Sequence, residues 1–204
     1  MRFNKKKFIY LISPLKIERN FYIELIEVLK QKKVSFFQLR LKKTHFKEKI
    51  KIGRKIKKIC KKFKVKFLIN DDVYLAKELS ADGCHLGQKD MNILKARKLI
   101  GNKIIGITCH NSIKLAKLAI NDKADYLAFG AFNFSKTKKV KYKASISFLK
   151  KARKITKTPI VAIGGVNVNN YKNLLLNKAN FLAISGYIWK NKKLKPRDAI
   201  NKLI

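Results

Sequence analysis

The chain has 204 residues, of which 47% are hydrophobic, and the apolar residues are spread along its whole length. This length and composition predict one packed domain and exclude a mainly disordered chain. The 50 Lys and Arg residues against 12 Asp and Glu give a formal net charge of +38, which would attract any polyanion and so does not identify a function.

Short apolar runs alternate with longer amphipathic segments from one end of the chain to the other. The pattern predicts eight strands, at residues 8–13, 36–42, 67–70, 83–87, 104–109, 126–132, 159–165 and 181–187. It predicts helices at residues 19–31, 46–63, 73–79, 93–100, 113–121, 146–155, 169–176 and 197–203. Asp72, Asn92 and Ser112 stand where helix N-caps are needed.

Eight strand-then-helix units with short connections favour an α/β fold, a single-domain (β/α)8 TIM barrel over residues 1–204. A doubly wound open sheet is the alternative. In barrels, active sites lie where strands end and the following loops begin. The carboxyl ends of the strands are therefore the places to look for chemistry.

The second predicted strand ends in the sequence Gln38-Leu39-Arg40-Leu41-Lys42. Because side chains alternate along a strand, Gln38, Arg40 and Lys42 share one face. In a closed barrel this face would offer a forked donor and a point charge to a phosphate or diphosphate. On the edge of an open sheet the same face would be solvated.

Carboxylates follow the third and fourth predicted strands, in a chain with few acidic residues. Asp71 and Asp72 come directly after Asn70, and Asp90 lies just beyond the fourth strand. Asp71 and Asp90 could share a Mg2+ ion, which takes oxygen ligands and is completed by water and substrate phosphates. Asp72, and by the same argument Asp71, could instead cap the next helix.

The pairs Cys84-His85 and Cys109-His110 raise the question of a zinc site. Adjacent residues on a strand face opposite sides, so neither pair readily presents both groups to one ion, and we do not expect zinc. Thr108 and His110 share a face of the fifth strand. They form either a hydrogen-bonding pair in the site or satisfied interior polar groups.

Residue types that bind anions follow the last three strands. Residues 135–138, Ser-Lys-Thr-Lys, supply hydroxyls and ammonium groups after the sixth strand. The seventh strand ends in Gly164 and Gly165, and the eighth carries Ser185 and Gly186. Small residues after strands 7 and 8 let backbone amides approach phosphate oxygens closely, as barrel phosphate sites require.

In combination, these motifs resemble those of the thiamine phosphate synthase family along nearly the whole chain. They are Q-L-R-x-K at 38–42, N-D at 70–71, H-L-G-Q-x-D at 85–90, T-x-H at 108–110, S-x-T-K at 135–138, I-G-G at 163–165 and I-S-G at 184–186. Each is weak alone, but seven in the family's order and spacing are specific. The resemblance implies an enzyme that joins 4-amino-2-methyl-5-hydroxymethylpyrimidine diphosphate to a thiazole phosphate carboxylate, releasing diphosphate and CO2.

The resemblance also implies roles for individual residues. The pyrimidine diphosphate would be held by Gln38, Arg40, Lys42, Asn70, Thr108 and Lys138, of which Arg40, Lys42, Thr108 and Lys138 would take part in catalysis. Mg2+ would be held by Asp71 and Asp90, and the thiazole phosphate by Ser135, Thr137, Gly165, Ile184 and Ser185. Thr108 stands where most members have Ser and Ser135 where Thr is usual, and both keep the hydroxyl. Ala131 and Phe134 replace the usual prolines of the loop after strand 6.

Two other functions compete with this interpretation. A thiazole tautomerase on the same barrel would need no metal or diphosphate site and could use His110 as acid or base. The joint presence of Gln38, Arg40, Lys42, Asp71 and Asp90 argues against it. A nucleic-acid-binding protein would rest on the net charge, through a cluster such as residues 55–66.

We expect no specific nucleic-acid partner, because lysines occur in every segment, as in a genome rich in A and T, and no recognition helix or aromatic RNA motif stands out. Cys60, Cys84 and Cys109 form no C-x-x-C pair, which favours a reduced protein. No apolar run approaches roughly 18 residues, and no signal-peptide core precedes the first strand. We therefore expect a cytoplasmic enzyme of phosphorylated small molecules with no membrane partner. Homo-oligomerisation stays open.

Overall fold

A computed structural model describes residues 7–134 and 141–203. Its strands are β1 Ile9–Ile12, β2 Val34–Leu39, β3 Lys66–Asn70, β4 Gly83–Leu86, β5 Ile104–His110, β6 Tyr126–Gly130, β7 Ile160–Ile163 and β8 Phe181–Ile184. All neighbouring pairs are parallel, and β8 pairs with β1 to close a barrel in chain order. The predicted (β/α)8 barrel is confirmed, and the open sheet is excluded because the barrel has no edge strand.

The helices cover the outside of the barrel. Those in the described residues are α1 Phe21–Lys30, α2 Phe46–Lys62, α3 Val73–Glu78, α4 Ile93–Ile100, α5 Ile113–Asn121, α6 Ile146–Ile155, α7 Tyr171–Leu176, α8 Gly186–Trp189 and α9 Pro196–Asn201. The three predicted N-caps are confirmed, since the side chains of Asp72, Asn92 and Ser112 each accept a hydrogen bond from the backbone N–H three residues on. Ser145 caps α6 in the same way.

Two predicted strands end three residues earlier than the sequence pattern indicated, and four others end one or two residues earlier. The strand predicted at 36–42 is β2, which ends at Leu39, where its pairing with Ile69 of β3 ends. The strand predicted at 181–187 ends at Ile184, and α8 begins at Gly186. A strand persists only while its neighbours supply hydrogen bonds, and this length is a property of the closed barrel rather than of local sequence.

Two apolar layers build the core. The outer layer lies between the barrel and the helices and takes the alternate strand residues, such as Leu39, Cys84 and Leu127. The inner layer fills the barrel with side chains that include Phe36, Tyr126 and Phe181. The filled interior leaves the opposite, carboxyl end of the strands open for a site.

The lysines of α2 lie mainly on its solvated surface. On α2, Lys51, Lys55 and Lys58 are exposed, while Ile56 and Cys60 on the same helix are buried against the core. Among the residues that the structure describes, no helix has the length and apolar character needed to cross a membrane. The amphipathic pattern of α2 therefore accounts for the position of these lysines.

Gly106 is required by the packing inside the barrel. It pairs with Tyr126 in the register of β5 and β6, and a Cβ atom at Gly106 would overlap Cζ of the buried Tyr126 ring. Gly106→Ala is therefore expected to lower the free energy of unfolding by about 1–3 kcal/mol or more, the usual cost of overpacking a core. Urea denaturation measures this, and an unchanged midpoint would contradict the packing described.

Candidate active site

A cavity of about 560 Å³ opens at the carboxyl ends of the strands. Its walls come from the ends of all eight strands and from the loops that follow them. The volume falls in the range of small-molecule sites. This is the position where barrel active sites lie.

One wall of the cavity carries Gln38, Arg40 and Lys42, as their alternation predicted. Leu39 and Leu41 point the other way and are buried in the outer core. The alternation continues past the end of β2 because the Arg40 N–H donates to Ser13 Oγ at 2.9 Å. Burial lowers the pKa of Arg40, and the charge of nearby Asp71 acts in the opposite direction.

Asp71 and Asp90 meet at the rim of the same wall. Asp71 lies 3.3 Å from Lys42 Nζ, and Asp90 Oδ2 accepts the Gly87 N–H at 2.6 Å. Burial raises the pKa of Asp90, and the neighbouring Asp71 carboxyl raises it further. Two carboxylates this close repel each other in the ionised state, so a cation between them would stabilise both.

Asp72 serves a different purpose from Asp71. Its carboxylate caps α3 through Leu75 N–H at 2.9 Å and lies 3.8 Å from Lys49 Nζ. Asp71 instead has φ 64°, a left-handed conformation that turns it away from the helix start and into the cavity. The capping alternative therefore holds for Asp72 and not for Asp71.

The chemistry of the Asp71 and Asp90 pair fits Mg2+. Both ligands are carboxylate oxygens, and a hard ion completes its coordination with water and substrate phosphates. The described residues contain no cluster of three or more Asp, Glu, His or Cys side chains of the kind that forms a metal cage. Both observations agree with a site in which two carboxylates supply the protein ligands and water and substrate phosphate oxygens supply the others.

A chain of hydrogen-bonded polar side chains crosses the barrel at the floor of the cavity. Gln38 Nε2 donates to Tyr10 Oη at 2.8 Å, and Tyr10 Oη lies 2.7 Å from Tyr126 Oη. Tyr126 Oη lies 2.8 Å from His85 Nδ1, and His85 Nε2 lies 2.8 Å from Thr108 Oγ1. The sequence analysis missed both tyrosines, although each is a polar ring at an inward-facing strand position.

The histidines and cysteines separate as their alternation predicted. Cys84 and Cys109 are buried free thiols of the outer core, whereas His85 and His110 line the cavity. The His110 ring stacks on Tyr142 at a centroid distance of 4.2 Å. The polar partner of Thr108 is His85 instead, from the neighbouring strand.

The expected thiazole phosphate residues are placed in different ways. Ser185 lines the cavity, and its Oγ donates to Ser13 O at 3.2 Å. Gly165 has φ 64° and lies behind the cavity wall formed by Gly164, where a Cβ atom would overlap Phe134 O. The Ile184 side chain is buried in the outer core, so any contact with a phosphate must come from its backbone.

The other expected site residues fall into two groups. Asn70, at the end of β3, lines the cavity. Ser135, Thr137 and Lys138 lie outside the described residues. The sequence motif that contains these three residues is therefore not located by the structure.

The fold and this cavity define a (β/α)8-barrel enzyme with a charged site for a small molecule. The family model for thiamine monophosphate synthase matches residues 9–188. The chain is 69% identical to the thiamine-phosphate synthase of Pelagibacter ubique over 100% of both chains, and 39% identical to that of Erythrobacter litoralis over 89% of this chain and 87% of the relative.

A solved structure agrees with these relatives. The thiamine phosphate pyrophosphorylase from Pyrococcus furiosus superposes with a TM-score of 0.86 at 28% identity, covering 98% of this chain and 94% of that one. The chain belongs to the thiamine monophosphate synthase family, as its motifs indicated, and is an enzyme. The relatives are synthases, so the tautomerase alternative is not favoured.

Proposed function

We propose that the cavity couples 4-amino-2-methyl-5-hydroxymethylpyrimidine diphosphate to thiazole phosphate carboxylate, giving thiamine phosphate, diphosphate and CO2. The observation that carries this proposal is the wall on which Arg40 and Lys42 stand beside Asp71 and Asp90. Cations next to a carboxylate pair suit a diphosphate that arrives with a divalent metal. An isomerisation of one thiazole phosphate would use neither group.

Mg2+ is the cofactor that we assign to Asp71 and Asp90. When bound there, it would supply positive charge to the diphosphate oxygens. Lys42 Nζ lies 3.3 Å from Asp71 Oδ2, so its ammonium group stands beside the carboxylates that would hold the ion. The backbone N–H of Arg40 donates to Ser13 Oγ, which positions the residue, and its guanidinium presents a forked donor to the diphosphate.

The remaining contacts follow the family assignment. Gln38, Asn70 and Thr108 line the cavity near these charges and would hold the pyrimidine diphosphate together with Lys138. At the carboxyl ends of β7 and β8, Ser185 would hold the thiazole phosphate with backbone groups of Gly165 and Ile184, and with Ser135 and Thr137. The two substrates would thus lie side by side across the mouth of the barrel.

The proposed reaction is dissociative. The bond between the pyrimidine methylene carbon and the diphosphate oxygen breaks first, with its electron pair leaving on the diphosphate, and the thiazole nitrogen then attacks the resulting cation. The thiazole carboxylate leaves as CO2, and the ring carbon that keeps the electron pair takes up a proton from water. The residues of this chain neutralise the departing diphosphate and hold the two rings in line, which are the main contributions required of the protein. No side chain needs to act as a strong nucleophile.

The direct test is an assay of diphosphate release. Purified protein, both substrates and Mg2+ should give diphosphate and thiamine phosphate in equal amounts, and omitting either substrate should stop the release. Isomerisation of a thiazole phosphate without the pyrimidine substrate, and no coupling in the complete mixture, would support the tautomerase instead.

We place the enzyme in the cytoplasm, because all three cysteines are buried free thiols that suit a reducing compartment. We also propose that it has no specific nucleic-acid partner. Any binding to DNA should be independent of sequence and should weaken steeply as salt is raised, because dispersed lysines act through counterion release. Titrations of two unrelated duplexes at several salt concentrations check this, and a sequence-selective complex at high salt would contradict it.

A further inference from the structure

The hydrogen bonds that link the side chains at the floor of the cavity all run in one donor-to-acceptor direction. Gln38 Nε2 donates to Tyr10 Oη, so the single hydrogen of the Tyr10 hydroxyl is left for Tyr126. The Tyr126 hydroxyl must then donate its own hydrogen to His85 Nδ1. Because Nδ1 accepts, the imidazole is neutral and carries its hydrogen on Nε2, which donates to Thr108 Oγ1.

Burial makes this direction obligatory. Tyr10 and Tyr126 are 1% and 2% exposed, so neither hydroxyl can satisfy its hydrogen with water. Burial also raises the pKa of both phenols, so both keep their hydrogens. The orientation of the Gln38 amide therefore determines which atom donates in each hydrogen bond from Gln38 to Thr108.

The end of the chain faces the substrate. Thr108 Oγ1 accepts from His85 and has no other hydrogen-bond partner among the described residues, so its hydrogen is available to the cavity that it lines. A phosphate oxygen at neutral pH accepts hydrogen bonds. In the opposite direction, the Thr108 hydrogen would go to His85, and only its lone pairs would face an anion.

We propose that Tyr126 and His85 are positioning residues, which hold Thr108 as a hydrogen-bond donor to an oxygen of the anionic substrate. The assignment of that substrate as a diphosphate rests on the proposed function, whereas the direction of the hydrogen bonds from Gln38 to Thr108 does not. The residues come from β6, β4 and β5, and the Gly106 gap beside the Tyr126 ring keeps the phenol in reach of His85. The barrel interior thus controls a group in the site.

The direction can be measured without a substrate. The chain has three histidines, so protein labelled with 15N-histidine gives three imidazole signals, and His45→Gln and His110→Gln variants assign the third to His85. We expect His85 to carry its hydrogen on Nε2, with Nδ1 unprotonated. In Tyr126→Phe, which removes the donor to Nδ1, both tautomers should be populated. A hydrogen on Nδ1 in the wild type, or an unchanged tautomer in Tyr126→Phe, would overturn the inference.

Kinetics test the connection to Thr108. Thr108→Val keeps the shape and removes the hydroxyl, and it should lower kcat/KM for the pyrimidine diphosphate by roughly tenfold to a hundredfold, as for one hydrogen bond to a charged group. Thr108→Ser should retain most of the activity. Tyr126→Phe should raise the KM for the same substrate and leave that for the thiazole unchanged.

The double variant decides whether Tyr126 acts through Thr108. If it does, Tyr126→Phe combined with Thr108→Val should be no worse than Thr108→Val alone. Losses that multiply, or a Tyr126→Phe effect that falls equally on both substrates, would show a general structural role and overturn the inference. Failure of the wild type to couple the substrates would contradict the proposed function. The 15N signals of His85 would still show the direction of the hydrogen bonds between Gln38 and Thr108.

Discussion

Asp71→Asn and Asp90→Asn are each expected to lower kcat/KM for coupling by roughly 100-fold to 1000-fold, as for loss of one strong electrostatic stabiliser in a site. The Asp71 carboxyl is near enough to Asp90 to raise its pKa, and each substitution removes one charge with little change of shape. If they hold one ion as a unit, the double variant should be little worse than either single variant. Diphosphate release over a range of Mg2+ concentrations measures the effect.

Asp72→Asn is the matched control for this series. Asp72 is adjacent to Asp71 in sequence but caps α3, and asparagine caps a helix about as well as aspartate. Its activity and Mg2+ dependence should stay close to those of the wild type. Turnover that survives the Asp71→Asn/Asp90→Asn double change and the addition of EDTA would contradict the synthase mechanism and favour isomerisation.

Arg40→Ala is expected to weaken binding of the pyrimidine diphosphate by roughly 100-fold, with little effect on the thiazole phosphate. Arg40 shares a cavity wall with Gln38 and Lys42, and a forked guanidinium makes charge-assisted bonds of about 1.5–3 kcal/mol to such an anion. Calorimetric titration with one substrate at a time measures each affinity, because coupling needs both. Arg40→Lys should recover part of the loss, since it keeps the charge without the fork.

Arg54→Ala provides the control for net charge. Arg54 lies on the exposed surface of α2, 3.3 Å from Glu78, and its removal takes the same charge from the protein. Its affinities should match those of the wild type if Arg40 acts locally. Equal losses for both substrates in Arg40→Ala would mean that its side chain does not face the diphosphate.

Several features of the site were predictable because they depend on local spacing. The period of two in a strand places Gln38, Arg40 and Lys42 on one face, and the structure retains this face even though β2 ends at Leu39. Similarly, Asp71 follows β3 directly and Asp90 lies just beyond β4, so the pairing of these two strands makes the carboxylates neighbours.

Other features depend on how distant segments meet. The pairing of Thr108 with His85 rather than His110 depends on the register between β4 and β5, which no local pattern contains. Tyr10 and Tyr126 are 116 residues apart and touch only because opposite strands of a closed barrel direct their side chains to the same interior. The local pattern of each strand predicts only that Tyr10 and Tyr126 are core aromatic residues.

The order of the elements, the faces of the strands and the residue types at the strand ends are all readable from the amino-acid sequence, because periodicity and composition act over a few residues. Contacts that form only in the folded barrel determine where β2 and β8 stop, how Asp71 turns into the cavity while Asp72 caps α3, and how five side chains join in one hydrogen-bonded chain at the cavity floor. These depend on barrel closure and strand register, which set the contacts between residues far apart in the chain.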